Sequence, residues 1–350
     1  MSLISIKYNS IDLFAGVGGL TEGMHKAGFQ TKLAIEIVDN AVIGYKLNHP
    51  NSEVLQKDIR IITKEEISNI LNGERLHLLA GCPPCQGFSS VRRLNRSSVA
   101  DDRNDLVLEY LRLVKEHLPY TIMMENVPAL REYDLFKKVV EELQIIGYHI
   151  DVDVVNVKDY GVPQSRRRLV MVGSLLGPIK IDRGTNEKVT VRDTISKLES
   201  IELTEDPIHK ITAKHTGHVM ERIRLTPKDG GSRKDLPKEW ELECHKGKDI
   251  GFNDIYGRLR WDDYSTTITG GCLNPSKGRF LHPEEDRVIT PREAALLQSF
   301  PEDYKFPVNI PKQALALLIG NALPPKFSYI QSLNIKKHLD TYLGNSADNN

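Results

Sequence analysis

The chain predicts an α/β fold with a mostly parallel sheet, joined to a smaller, loop-rich β domain. Two observations carry this. Apolar runs of strand length alternate with helical patterns over the first half, the order that builds a sheet covered on both faces. From about Leu176 to about Pro283 the texture turns polar. Periodicity there is short and weak, and turn signals such as Pro227-Lys228-Asp229-Gly230-Gly231 and Asn274-Pro275-Ser276-Lys277-Gly278 recur.

The elements follow in order. Residues 9–14 read as a strand and 20–27 as a helix; 31–37 and 40–48 repeat the pair. Residues 53–57 lead to Asp58 as the end of a third strand. The apolar run 76–80 is a buried strand, 106–117 a strongly periodic helix, 120–125 a strand and 135–146 a helix. Runs 152–157 and 169–172 have no helix between them, which predicts an antiparallel hairpin at the sheet edge. Helical patterning returns at 292–299 and 312–319. Pro301 and Pro324-Pro325 punctuate the end, and the polar tail 344–350 is expected to fray.

Composition narrows the class. The chain has 350 residues, enough for two domains. It has no apolar run of about 18 residues, which argues against a membrane span, and no signal-like start. Four cysteines are too few for a disulfide scaffold, so a reducing, cytoplasmic setting is expected. The 47 basic and 47 acidic residues cancel, so net charge announces no polyanion partner. Local runs are richer: Arg92, Arg93, Arg96 and Arg103, then Arg166-Arg167-Arg168. These are either solvated surface or phosphate contacts.

Asp12-Leu13-Phe14-Ala15-Gly16-Val17-Gly18-Gly19 lies where a strand enters a helix. Gly-x-Gly there lets backbone approach a ligand, and the helix start offers free N–H groups. The third glycine of a dinucleotide fingerprint is missing, with Thr21 in its place. Glu36, at the end of the second strand, is placed to grip ribose hydroxyls. Asp58 is placed to accept from an adenine amine. An adenosine ligand without pyrophosphate fits, which is S-adenosylmethionine. The alternative is a tight turn with no ligand.

Gly81-Cys82-Pro83-Pro84-Cys85 ends the buried strand and forces a turn carrying two thiols. Cys85 could be a nucleophile, a metal ligand, a redox partner or filling. A zinc site wants two more ligands, preferably another close pair; Cys244-His245 are adjacent and Cys272 is alone. A thioredoxin-like pair lacks its short βαβ context. Glu125-Asn126-Val127 closes another strand with a carboxylate at its carboxyl end, the edge where open α/β sheets bind ligands.

These residues resemble the cytosine-5 DNA methyltransferases of prokaryotic restriction-modification type. The resemblance covers nearly all of 9–175 and 286–330. Its blocks are Asp-Leu-Phe-Ala-Gly-Val-Gly-Gly, Pro-Pro-Cys-Gln-Gly-Phe-Ser, Glu-Asn-Val, Gln164-Ser165-Arg166-Arg167-Arg168, the run from Pro291 through Gln298 to Pro301, and Gly320-Asn321-Ala322-Leu323-Pro324-Pro325. It implies a Rossmann-like S-adenosylmethionine-dependent domain formed by 1–175 and 286–350. Residues 176–285 would be the target-recognition domain.

The same resemblance implies roles. Cys85 is the nucleophile that adds to C6 of cytosine, and Cys82 is structural. Glu125 holds N3 and the exocyclic amine, Arg168 contacts O2, and Arg166 lies close to it and to the sugar-phosphate. Phe14, Gly16, Val17, Gly19, Glu36, Ile37, Asp58, Ile59, Pro84, Leu106, Asn321 and Ala322 line the cofactor pocket. Gln298 helps orient the two domains. No metal is implied.

Because C6 is shielded by stacking, the base must be flipped out of the duplex. Residues 89–102, with Arg92, Arg93 and Arg96, are expected to close over it. The DNA-side candidates are Gln164, Arg233, Arg258, Arg260, Thr267, Asn274 and Lys277, residue types that read base edges or hold phosphates. The expected partner is double-stranded DNA, with a cognate restriction endonuclease acting separately and the enzyme itself a monomer. Two rivals remain at this point: the same chemistry on tRNA, and a silent nucleic-acid binder that keeps the fold.

Overall fold

The computed structural model describes residues 8–84, 105–242 and 254–344. Its frame is a seven-stranded sheet in the order β3-β2-β1-β4-β5-β7-β6. The strands are β1 (Tyr8–Leu13), β2 (Phe29–Ile35), β3 (Glu53–Leu55), β4 (Leu78–Gly81), β5 (Thr121–Asn126), β6 (His149–Asn156) and β7 (Arg167–Ser174). The pairs from β3 through β5 are parallel, whereas β7 runs antiparallel to both β5 and β6. The hairpin expected from the missing helix is therefore present.

The central strands β1, β4 and β5 are buried at every position, as strands covered on two faces must be. Their helices are α1 (Gly19–Ala27), α2 (Asp39–Asn48), α3 (Lys64–Leu71), α4 (Leu106–His117) and α5 (Asp134–Ile146). Leu106, Val107, Tyr110, Leu111, Leu113 and Val114 of α4 join one core with Ile122 and Met124 of β5. The Tyr110 hydroxyl reaches the carbonyls of Leu79 and Met123, at 3.3 and 3.1 Å. α3 has a capping box at Thr63 and Glu66, a Thr-x-x-Glu signal that marks a helix start.

The carboxyl-terminal part departs from expectation. Pro324-Pro325, read as punctuation, opens α10 (Pro325–Leu343), the longest helix described. Proline at a first helical position loses no hydrogen bond, because that N–H has no partner inside the helix. The helix packs on α1, where Ser328 Oγ donates to the Leu20 carbonyl at 2.7 Å.

The chain forms two compact units. The first holds the described residues up to Tyr160, then Arg167–Thr185, then from Leu323 onward. The second holds Gly161–Arg166 and Asn186–Ala322. The boundaries thus differ from 176 and 286: residues 286–322 pack with the second unit. That stretch carries α8 (Pro291–Leu297) and α9 (Lys312–Asn321).

The β character expected of the second domain is corrected. Among its described residues there are isolated bridges, such as Arg258 with Leu281, but no named strand. Its regular pieces include α6 (Val191–Ile195), α7 (Gly217–Leu225) and 3-10 turns. The turn signals close irregular loops, and side chains bond the backbone groups that a ladder would otherwise have taken.

Among the described residues no helix is long and apolar enough to cross a membrane.

Candidate active site

The carboxyl edge of the first unit's sheet gathers the polar residues. β1 ends at Leu13 and turns through Phe14, Gly16 and Gly18, all at positive φ (60°, 55° and 97°). Gly18 in the left-handed region caps α1, a conformation glycine adopts without steric cost. The turn is tied to the next strand: Gly16 N–H donates to Glu36 Oε2 at 2.8 Å. The other oxygen of Glu36 accepts from the Ile37 and Val38 N–H groups, each at 2.8 Å. Val17 and Leu106 are buried, and Ile37 is 57% exposed. Gly19 is the first residue of α1.

Asp58 caps a short 3-10 turn, Ile59–Ile61, and accepts from the Arg60 backbone and guanidinium. That pairing holds its carboxyl below the usual range. The Ile59 side chain is core, and its carbonyl accepts from Arg112 Nη2 at 2.9 Å.

The base-side groups lie along the same edge. Gly81, at the end of β4, sits so close to β1 that a Cβ there would lie 2.8 Å from the Leu13 Cβ. Cys82 N–H then donates to the Leu13 carbonyl at 3.2 Å, and the thiol is half-buried. Asn126 Nδ2 donates to the Pro83 carbonyl at 3.0 Å, while its oxygen accepts from Val127 N–H at 2.8 Å. This asparagine holds the proline turn to the end of β5. Its signal in the sequence was its place directly after Glu125.

Glu125 is 8% exposed, and Arg168 Nε lies 2.7 Å from its Oε1. The two meet because β7 is reversed. In the antiparallel register Asn126 faces Leu169, so Arg168 enters the sheet beside the exit of β5.

Cys85, Arg92, Arg93 and Arg96 fall outside the described residues, as does Cys244. Pro84 is half-buried. Cys272 is fully buried, and burial pushes its thiol up to about 12, which leaves it protonated and inert.

The second unit corrects several DNA-side assignments. Arg258 is 0% exposed. Its guanidinium donates to the carbonyls of Ile223, Thr226, His282 and Glu285 and pairs with Asp286. It braces loops and cannot reach a base. Gln164 is equally buried; its Nε2 donates to Gln298 Oε1 at 2.7 Å and its oxygen accepts from Ile268 N–H at 2.7 Å.

Gln298 lies within the same unit and donates to the Ile319 carbonyl at 2.7 Å. Its bonds to Gln164, Ile319 and Ala322 all lie inside that unit. Arg166, buried at 4%, donates through Nη1 to the carbonyls of Ile268 (2.9 Å) and Gly320 (3.0 Å). Thr267 donates to the Ser165 carbonyl at 2.9 Å.

Asn274 caps its own 3-10 turn through Ser276 N–H. Arg260 and Lys277 are exposed and Arg233 half-buried. Asn321 is exposed at the end of α9, and Ala322 follows it as the cap.

A seven-stranded sheet of this order, with a glycine turn, a carboxylate and an arginine on one edge, places the chain among the methyltransferases. It belongs to the C-5 cytosine-specific DNA methylase family, whose model matches residues 8–337. The chain is similar to the Type II methylase M.HgiDII of Herpetosiphon aurantiacus. The two are 35% identical over 344 residues, 94% of this chain and 95% of that protein. It is 32% identical to the Type II methyltransferase M1.HphI of Haemophilus parahaemolyticus, over 90% of this chain and 83% of that protein. Among solved structures it resembles a putative DNA modification methyltransferase encoded within a prophage (E. coli). The TM-score is 0.72 and the identity 25%, over 95% of this chain and 100% of that one.

Proposed function

We propose that this enzyme methylates C5 of a cytosine flipped out of duplex DNA, through a transient bond between Cys85 Sγ and C6. The observation that carries the reading is the Glu125–Arg168 pair at 2.7 Å, one residue from the asparagine that holds the Pro83 carbonyl. Cys85 follows this braced turn directly in the sequence, and in this proposal it is the thiol that acts beside that carboxylate and guanidinium.

The residues present fit S-adenosylmethionine. Glu36 offers a carboxylate at the end of β2, already oriented by three backbone N–H groups, for ribose hydroxyls. Among the described residues nothing lies within 4 Å of where a Gly16 side chain would begin, which leaves the turn room for a close-lying ligand. Bound there, this cofactor supplies a methyl group activated by its sulfonium.

The chain's own residues do the rest. The Cys85 thiolate forms a bond to C6, and the ring electrons this displaces make C5 nucleophilic. Glu125, carrying a proton on one oxygen, donates it to N3, where negative charge develops as the thiolate adds, and accepts from the exocyclic amine with the other. Arg168 turns from Glu125 toward O2. After C5 is methylated, its proton leaves to a base, the C5–C6 double bond re-forms, and the thiolate is expelled.

The second unit is the proposed target-recognition part, with Arg233, Arg260 and Lys277 as its remaining DNA-side candidates. A restriction-modification role for the chain is supported by the Type II relatives. A soluble cytoplasmic monomer is the state expected of it.

The test is labelled-methyl transfer to duplex DNA, with tRNA as the competing substrate. Cys85→Ala abolishes transfer and keeps binding of the methyl donor, while Cys82→Ala retains transfer. Loss of activity in the Cys82 variant but not the Cys85 variant would overturn the assignment. Transfer to tRNA alone would move the same chemistry to the rival substrate. Bisulfite sequencing of DNA from expressing cells then reads the target site.

A further inference from the structure

We infer that Asp12 is a specificity residue of the cofactor cradle, selecting a cationic adenosine ligand by filling the N-terminus of α1 with the chain's own buried carboxyl. The inference rests on the S-adenosylmethionine reading above.

In a dinucleotide turn, the helix N-terminus receives pyrophosphate, and a third glycine lets helix and strand close together. Here Thr21 occupies that place and ties α1 to β1 by a hydrogen bond. Its hydroxyl donates to Asp12 Oδ2 at 2.6 Å, and its backbone N–H supports the same carboxyl. The Tyr45 hydroxyl lies 3.0 Å from Thr21 Oγ1. Because the threonine proton is committed to Asp12, Tyr45 is the donor of that second bond. A chain of donated protons thus runs Tyr45 to Thr21 to Asp12 and ends on the carboxyl.

Asp12 is fully buried, and among the described residues its Oδ1 has no hydrogen-bond partner. Its ladder neighbours are Ala34 and Ala80, which carry no charge. The groups facing it are Thr21 from α1, Tyr45 from α2 and, across the turn, the acid Glu36. The positive end of α1 is therefore already answered from within. A phosphate arriving there would meet two carboxyl groups. A sulfonium or ammonium group would relieve them.

Burial, with Glu36 adding to it, pushes the Asp12 carboxyl up to about 7, so its charge is set near neutral pH. A bound cation favours the ionised form, and a neutral ligand does not. Preference for S-adenosylmethionine over its neutral product, S-adenosylhomocysteine, should then rise with pH.

Calorimetric titration of the full chain with these two ligands and with ADP provides the test. Wild type is expected to prefer the sulfonium ligand about threefold more strongly at about pH 8 than at about pH 6, and to bind ADP undetectably. Asp12→Asn should flatten the pH dependence, lower the preference and admit ADP. Thr21→Val keeps the carboxyl but removes a bond to its charged form, so the rise should move to higher pH; this variant decides the matter if Asp12→Asn does not fold. An unchanged preference and pH profile in these variants would overturn the inference. Failure of wild type to bind S-adenosylmethionine at all would instead overturn the cofactor reading.

Discussion

The two units satisfy their buried backbone by different means. In the first, ladders do it: β1, β4 and β5 are buried along their whole length and pair on both sides. In the second, side chains do it: Arg258 alone reaches four carbonyls, and Arg279 Nη1 reaches those of Gly230, Gly231 and Arg258. A ladder distributes its bonds over many residues and tolerates a single side-chain change. A loop structure braced by one guanidinium fails at that residue.

The largest expected effect follows directly. Arg258→Met removes a buried cation, strands its carbonyl partners and leaves Asp286 with Lys228 alone, costing about 3–5 kcal/mol. Chemical denaturation monitored by hydrogen exchange should show the second unit opening while β1, β4 and β5 stay protected. Equal loss in both units would break the contrast.

The same helix-start motif occurs in both units and sharpens the comparison. Thr290 caps α8 with Glu293, but it also meets Nδ1 of buried His209 at 2.8 Å. Thr290→Ala should cost about 2 kcal/mol, since a cap is lost and a buried ring nitrogen is orphaned. Thr63→Ala removes an exposed cap from α3 and should cost about 0.5–1 kcal/mol. Melting of the two variants side by side checks the difference.

Between these lies a pH effect in the first unit. Burial lowers the His49 ring to about 3, and its neighbour His25 adds to the shift. Because the unfolded ring takes its proton near 6.5, stability is fully present above that pH. It is lost as pH falls from about 6.5 toward about 3, by up to about 1.4 kcal/mol per pH unit. His49→Phe should flatten that slope in denaturation curves measured over the same range.

What could be read in advance follows the same division. The order of β1, α1, β2 and α2, the extent of α4 and the edge hairpin were all legible, because sheet and helix burial leaves periodic apolar patterns. Glu125 was legible from its position at a strand's end. Arg258 and Gln164 were not: a long polar side chain in an aperiodic segment looks the same whether it faces DNA or the carbonyls of its own loops. Only the tertiary fold decides. α3 was missed despite the Thr63–Glu66 signal, and α10 because its opening prolines resemble a stop.

The reversal of β7 has a consequence for how such an edge can change. In a wholly parallel sheet, every side chain at that rim comes from the last residue of a strand or from a loop beyond it. A reversed strand supplies an entrance instead. The Arg168 contact to Glu125 is consequently indexed to the β5–β7 pairing and not to a loop's conformation. Loops here can lengthen without disturbing it. A one-residue deletion within β7 would put the neighbouring residue in its place and turn the guanidinium to the opposite face of the sheet.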